Sequence, residues 1–281
     1  AKWGARPGDA TLIYKSNDGT NREVSETCAN NATITTKGKD TFTRTGYTLT
    51  GWNTASDGEG DAFGLGEKVL LDNSGANVLY AIWTANADVS YTVHYYKQGT
   101  TDKVAEDKVV VGQTFDSTVT ENAIGVTGYT AVEPTTQELK LDKYNKEITF
   151  YYTVNQYGYT IEYYFDDVLQ DDLTVTGTAA YESTINYEDK CPAGYVLDKT
   201  IPDAENLPLT IGTDESANVI KVYYKKNVFT LTIHYVYEDG SEAKPDHTTS
   251  VEYGTGYSVD SPAIDGYKAD TLKVEGTMPA N

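Results

Sequence analysis

Three near-copies of one short stretch constrain this chain more than anything else in it. They read Tyr-Thr-Val-His-Tyr-Tyr at 91–96, Tyr-Thr-Ile-Glu-Tyr-Tyr at 159–164 and Leu-Thr-Ile-His-Tyr-Val at 231–236. Apolar or aromatic residues alternate with polar ones, so Tyr91, Val93 and Tyr95, or Tyr159, Ile161 and Tyr163, share one face of a strand. The copies begin at Tyr91, Tyr159 and Leu231, and a spacing that constant predicts one small unit reused along the chain.

Length and composition fit that reading. The 281 residues divide into about four units of roughly 70 residues, a size that folds alone with little stability to spare. With 24 Tyr, many Thr and Val and a single Met, strand formers dominate and helix formers are scarce. The net charge of −20 is spread as −3, −4, −8 and −6 over residues 10–85, 86–154, 155–227 and 228–281. Acid on every unit reads as solvated surface and argues against nucleic acid or an anionic membrane as partner. No apolar run is long enough to insert in a membrane, and Ala1 to Asp9 lacks the apolar centre of a signal peptide. Export would therefore make this an internal piece of a longer protein. Cys28 and Cys191 are separated by a whole unit, which predicts two free thiols, and no Cys or His spacing resembles a zinc site.

Residues 1–9, with Gly4, Pro7 and Gly8, read as a linker. The unit at 10–85 opens with a strand from Thr11 to Lys15 and a Ser16-Asn-Asp-Gly19 turn. It continues through Gly46-Tyr47 and Gly51-Trp52 and closes on Leu79-Tyr80-Ala81 and Trp83. This set resembles the Listeria and Bacteroides repeat, the B-repeat of internalin-type surface proteins. The later units share a Gly-x-x-small-aromatic step (Gly112 to Phe115, Gly177 to Tyr181, Gly254 to Tyr257), a Gly-Tyr pair (Gly128-Tyr129, Gly194-Tyr195, Gly266-Tyr267) and, in two of them, a final strand ending in Tyr-Tyr. They look like the mucin-binding protein (MucBP) repeat of bacterial adhesins. The opening strands start at Ala10, Tyr91, Tyr159 and Leu231, and the tyrosine of Gly-Tyr follows at Tyr47, Tyr129, Tyr195 and Tyr267. That offset is nearly constant, so four units are expected to share one chassis with these glycines and tyrosines equivalent.

The resemblance implies an α+β but strongly β-rich fold: a tandem array of small β-grasp-like repeat domains, each a twisted mixed sheet crossed by a short helix or irregular segment. Expected boundaries are 1–9 (linker), 10–85 (B-repeat-like), then MucBP-like repeats at 86–154, 155–227 and 228–281. In two of these the Tyr-Tyr pair stands at 151–152 and 223–224, well beyond Tyr129 and Tyr195, whereas the sequence reaches Asn281 much sooner after Tyr267. The last repeat is accordingly expected to be truncated, its closing strand missing.

Nothing here reads as an enzyme. His94, Glu162 and His234 occupy one column of the repeat, where Ile13 stands in the first unit, so that column is no required base or ligand. His247 falls in a polar stretch. Paired acids at Asp166-Asp167, Asp171-Asp172 and Glu238-Asp239 read as hairpin ends rather than a catalytic pair across a cleft. No cofactor is expected. Asp57 to Asp61 and Glu238 to Glu242 offer oxygens to calcium without the full EF-hand loop pattern.

The tyrosines are the candidate contact residues. Tyr95-Tyr96, Tyr151-Tyr152, Tyr163-Tyr164 and Tyr223-Tyr224 place aromatics on both faces of a strand, and one of each pair turns away from its core. Tyr96, Tyr152, Tyr164 and Tyr224 are taken as candidates for ligand or inter-repeat contact. The resemblance implies a repeat segment of an adhesin on a Gram-positive cell surface or wall. Its partners would be host glycoprotein such as mucin, or simply neighbouring repeats. A passive stalk, or accessory repeats of a secreted carbohydrate-active enzyme, are the alternatives.

Overall fold

The computed structural model describes residues 8–71, 77–202 and 207–280. The chain divides into two compact units, residues 1–125 with 131–153 and residues 126–130 with 154–281. Among the described residues regular structure is almost entirely β, and the one helical element is a 3-10 turn at Asp171–Leu173.

In the first unit, the strand Ala10–Lys15 is an interior strand of a five-stranded sheet whose middle strand is Asn77–Ala85. It runs antiparallel to Glu23–Cys28 and parallel to Asn77–Ala85, with Tyr14 opposite Leu79. Asn77–Ala85 pairs antiparallel with Tyr47–Asn53 on its other edge. Alternation buries Leu12 with Tyr14 and Leu79 with Ala81 on one face, the period-two pattern that a half-buried sheet requires, and Leu49 and Trp52, three residues apart, both join that face across a register shift between Leu49 and Gly51. Trp52 is fully buried, and its indole N–H donates to the Lys37 carbonyl at 2.9 Å. The ring of Tyr14 meets it edge-on at 4.7 Å.

A second sheet in the same unit repeats the plan. Val89–Lys97 is antiparallel to Lys108–Gln113 and parallel to Lys146–Val154, with Val93 opposite Ile148 and Tyr95 opposite Phe150. All four of those side chains are buried. Buried Glu121 accepts from the Tyr91 hydroxyl at 2.6 Å and from Lys108 Nζ at 2.8 Å. Burial alone would raise this carboxyl, but those hydrogen bonds outweigh it and hold Glu121 below the usual carboxylate range. Tyr91 is pushed up to about 12 by burial and by the same contact.

In the second unit, Gln156–Phe165 is antiparallel to Val175–Ala180 and parallel to Val219–Lys226, which in turn is antiparallel to Tyr195–Ile201. Ile161, Tyr163, Ile220, Val222 and Tyr224 form its core. The last region pairs Val228–Val236 antiparallel with Glu242–Glu252 and Gly256–Asp260 with Lys273–Thr277. Among the described residues Val228–Val236 is paired along one edge only.

Among the described residues no α-helix crosses a sheet. Thr118–Asn122 forms a two-stranded ladder with Thr136–Lys140. Thr118, Val119 and Thr120 are β-branched and stiff at χ1, which favours the extended backbone. The same small ladder occurs at Thr33–Thr35 with Lys68–Leu70 and at Thr184–Ile185 with Leu209–Thr210. Cys28 and Cys191 are both free.

Candidate functional site

The feature built with most care in this molecule is the Gly-Tyr turn. The amides of Tyr47, Tyr129, Tyr195 and Tyr267 donate to the carbonyls of Arg44, Val126, Pro192 and Ile264 at 3.0–3.1 Å. Each turn has glycine third, at φ +79°, +77°, +84° and +81°. A type II turn demands a positive φ there, and glycine adopts it without steric cost.

At three of the four positions glycine has a second task. A Cβ on Gly46 would fall inside the ring of Phe115, on Gly128 inside Tyr181, and on Gly194 inside Tyr253. Each aromatic ring thus lies flat in a socket that only a missing side chain leaves open. The tyrosine after the glycine forms the wall: Tyr47–Phe115, Tyr129–Tyr181 and Tyr195–Tyr253 are edge-to-face at 5.6, 5.9 and 6.0 Å. That geometry is worth about 0.5–1.5 kcal/mol beyond burial.

One asparagine ties each ring to its socket through the backbone. Asn86 N–H donates to Gly46 O at 2.9 Å, and Asn86 O accepts from Phe115 N–H at 2.8 Å. Asn155 does the same between Gly128 and Tyr181, and Asn227 between Gly194 and Tyr253, all at 2.8–2.9 Å. The hydroxyls of Thr48 and Thr130 donate to the side-chain oxygens of Asn86 and Asn155 at 2.7 and 2.6 Å. At the third socket Val196 replaces that threonine, and the Asn227 oxygen instead takes the Val228 amide at 2.9 Å. Tyr47 and Tyr195 donate their hydroxyls to Asp116 and Asp166 at 3.0 and 3.1 Å. Asp116 is held below the usual carboxylate range by its hydrogen bonds from Lys140 and Tyr47. The first socket lies wholly inside one compact unit, and the other two inside the other.

Gly266 makes the same turn with nothing within 4 Å of its missing Cβ. Tyr267 is 65% exposed, and its ring meets Tyr237 at 4.7 Å.

The four tyrosines singled out from sequence fall into two classes. Tyr152 and Tyr224 are core residues and must be withdrawn as outward candidates. Tyr152 donates to Ile124 O at 2.9 Å; Tyr224 donates to Asp189 at 2.6 Å and accepts the Lys190 amide at 3.0 Å. Pairing with the opening strand sets their direction, since Phe150 with Tyr152 and Val222 with Tyr224 form the inward sets. The outward members of the closing strands are therefore Tyr151 and Tyr223, which lie opposite Tyr96 and Tyr164. Tyr164 and Tyr223 stack at 4.6 Å with Lys199 Nζ 4.6 Å over the Tyr223 ring. The Tyr164 hydroxyl donates to Glu162 at 2.7 Å, which together with burial pushes it up to about 12. Tyr96 stacks on His94 at 5.4 Å, and Tyr151 is 44% exposed. None of the four candidates takes part in a socket.

In the calcium candidates, Asp57 and Asp239 accept amides two positions on, from Glu59 and Ser241. Asn53 closes the first loop by donating to Gly58 O and Gly60 O. Among the described residues no three acidic, His or Cys side chains gather as a metal site.

Sequence comparison shows the resemblance at both ends of the chain. The Listeria-Bacteroides repeat domain matches residues 11–82, and the MucBP domain matches residues 230–281. A putative membrane protein of Evansella cellulosilytica is 34% identical over 86 residues, 31% of this chain. The match spans only 13% of that relative's length. Among solved structures, the Bacillus anthracis TIE protein aligns with all of this chain and 74% of its own at 12% identity and a TM-score of 0.37. The type 2 repeat of the mucus binding protein MUB from Lactobacillus reuteri aligns with 52% of this chain and 99% of its own, at 15% identity and a TM-score of 0.18. Both matching families are repeats typical of bacterial surface proteins.

Proposed function

We propose that this chain is a non-catalytic repeat segment of a bacterial cell-surface protein, acting outside the cell to hold other parts of that protein at a defined reach. Four β-grasp-like repeats would follow one another at 10–85, 86–154, 155–227 and 228–281. The observation that carries this reading is the socket at Gly46, Gly128 and Gly194, where turn, asparagine bridge and aromatic ring recur with the same hydrogen bonds. A chain that only needed its domains linked would require none of these parts. In repeat proteins, stability is roughly a sum of unit and nearest-neighbour terms, and the sockets supply the neighbour term.

Spin labels within the second compact unit test this, at Asp172→Cys and Thr271→Cys with the native cysteines changed to serine. The wild-type background should give a narrow distance distribution and Gly194→Val a broad one. Equal breadth in both would mean that the socket holds nothing in place.

An adhesive role has separate support in the MucBP match and the outward tyrosines. Tyr151 is exposed opposite Tyr96, and aromatic faces of this kind stack on sugar rings. The acidic surface opposes sialylated or sulfated glycans, so neutral glycans of a host glycoprotein such as mucin are the favoured ligands. In a mucin pull-down, Tyr96→Ser with Tyr151→Ser should abolish retention. Retention unchanged in that variant would remove the tyrosines from the binding role, and no retention of wild type would leave the spacer reading alone.

A further inference from the structure

We propose that Tyr164 and Tyr223 form a site for oxidative cross-linking, at which a one-electron oxidant, such as a haem peroxidase supplied with hydrogen peroxide, joins the two rings through a carbon–carbon bond. Both residues lie within the second compact unit, and two independent observations single them out.

The first is placement. Tyr164 stands directly opposite Tyr223 in the parallel pairing of Gln156–Phe165 with Val219–Lys226, on the face away from the core of Tyr163, Val222 and Tyr224. Neighbours at one register position of a parallel pair send their side chains the same way, and adjacent strands lie about 4.8 Å apart. The rings accordingly stack at 4.6 Å, only 15° from parallel. The rings of Tyr129–Tyr181, Tyr195–Tyr253 and Tyr95–Tyr152 meet edge-on at 5.9, 6.0 and 6.4 Å. Tyr237 and Tyr267 approach to 4.7 Å at a tilt of 48°, but neither stands on a strand.

The second is a proton acceptor already in contact. A phenol that loses an electron becomes a strong acid and must shed its proton. The Tyr164 hydroxyl donates to Glu162 at 2.7 Å, and Lys221 Nζ lies 3.6 Å from the same carboxylate. Lys199 Nζ stands 4.6 Å over the Tyr223 ring, and a cation there makes an electron harder to remove from that ring. The first oxidation therefore falls on Tyr164.

In that step Tyr164 gives an electron to the oxidant and its hydroxyl proton to Glu162. Tyr223 then gives up a second electron to the oxidant and its proton to water. The two phenoxyl radicals couple between ring carbons ortho to the hydroxyls, and each of those carbons passes its hydrogen to its own oxygen as the rings regain aromaticity. Two electrons and two protons leave in all, and they reduce one hydrogen peroxide to two waters. Contact within one chain replaces a bimolecular encounter, so this coupling outruns coupling between chains. The product ties Gln156–Phe165 covalently to Val219–Lys226 and closes the intervening chain into a loop, which restricts the unfolded state.

The test treats the full chain, dilute enough to stay monomeric, with a haem peroxidase and hydrogen peroxide. Dityrosine fluorescence should appear in a species of unchanged monomer size whose mass is lower by two hydrogens, and fragmentation should place the link between Tyr164 and Tyr223. Tyr223→Phe should abolish that link. Glu162→Gln, which still accepts a hydrogen bond but takes no proton, should slow its formation by about tenfold or more. Tyr96 and Tyr151 supply an internal control, because they too stand opposite across parallel strands, but Tyr96 stacks on His94. No link between Tyr164 and Tyr223, or a yield there no greater than between Tyr96 and Tyr151, would overturn the proposal. An unchanged rate in Glu162→Gln would overturn the part given to Glu162.

Discussion

Gly194 and Gly266 occupy the same turn at φ +84° and +81°, yet one lies under the ring of Tyr253 and the other faces open space. The turn is thus a local property, set by a glycine and an i to i+3 hydrogen bond. The contact over it is not, because the ring and the bridging asparagine come from farther along the chain. Local chemistry makes the receptor in all four copies, and only the following sequence fills it.

The strongest way to break this comparison is to put the same side chain at both glycines. A valine carries a left-handed backbone cost of about 1–2 kcal/mol at either site. Only at Gly194 does it also collide with a ring, which adds about 1–3 kcal/mol of overpacking. Gly194→Val should therefore lose about 3 kcal/mol in denaturant unfolding and Gly266→Val about half of that. Equal losses would show that the ring contact contributes nothing.

Removing the ring rather than the space gives the next effect. Phe115 is 7% exposed in the first socket, and Phe115→Ala should cost about 3 kcal/mol. Tyr267→Ala at the open socket, a surface change, should stay within about 0.5 kcal/mol by the same measurement. A finer distinction separates the filled sockets from one another. Thr48→Val removes the hydroxyl from Asn86 that Val196 never offers to Asn227, and should cost about 0.5 kcal/mol. No change would make the hydroxyl dispensable and the first and third sockets equivalent.

Acid provides the smallest and most local test. Asp116, hydrogen-bonded by Lys140 and Tyr47, has its folded pKa lowered. Its contribution is present above the ordinary carboxylate value of about 4 and is lost as pH falls through the lowered folded value. Melting temperatures from about pH 5 down to pH 2 should fall more steeply in wild type than in Asp116→Asn. Parallel curves would remove the Tyr47–Asp116 bond from the first socket's stability.

Much of this arrangement was legible in the residues. The alternation at 91–96, 159–164 and 231–236 located the opening strands, and the near-constant offset to Gly-Tyr located four turns of one geometry. The inward or outward sense of Tyr151-Tyr152 and Tyr223-Tyr224 was not legible. Two adjacent tyrosines satisfy either parity, and only the parallel pairing with Val89–Lys97 or Gln156–Phe165 decides between them. The family resemblance implied a short helix or irregular crossing without placing it, and the β-branched Thr118, Val119 and Thr120 lie in an extended ladder instead. The sockets needed the fold itself. Asn86, Asn155 and Asn227 are plain in the sequence, but nothing local says that Asn86 bridges Gly46 to Phe115, or Asn227 Gly194 to Tyr253, across long stretches of chain on either side.

The parallel pairing of opening and closing strands has a mechanical consequence. The chain enters each of three sheets at the start of one strand and leaves at the end of a parallel neighbour, as in Val89–Lys97 beside Lys146–Val154. Tension applied along the chain drags such strands lengthwise past each other. Their evenly spaced hydrogen bonds are then loaded in shear together, rather than torn singly as in a hairpin. Val228–Val236 with Glu242–Glu252, consecutive and antiparallel, would peel open one bond at a time. Under traction the three sheets closed by a parallel strand are the ones loaded in shear.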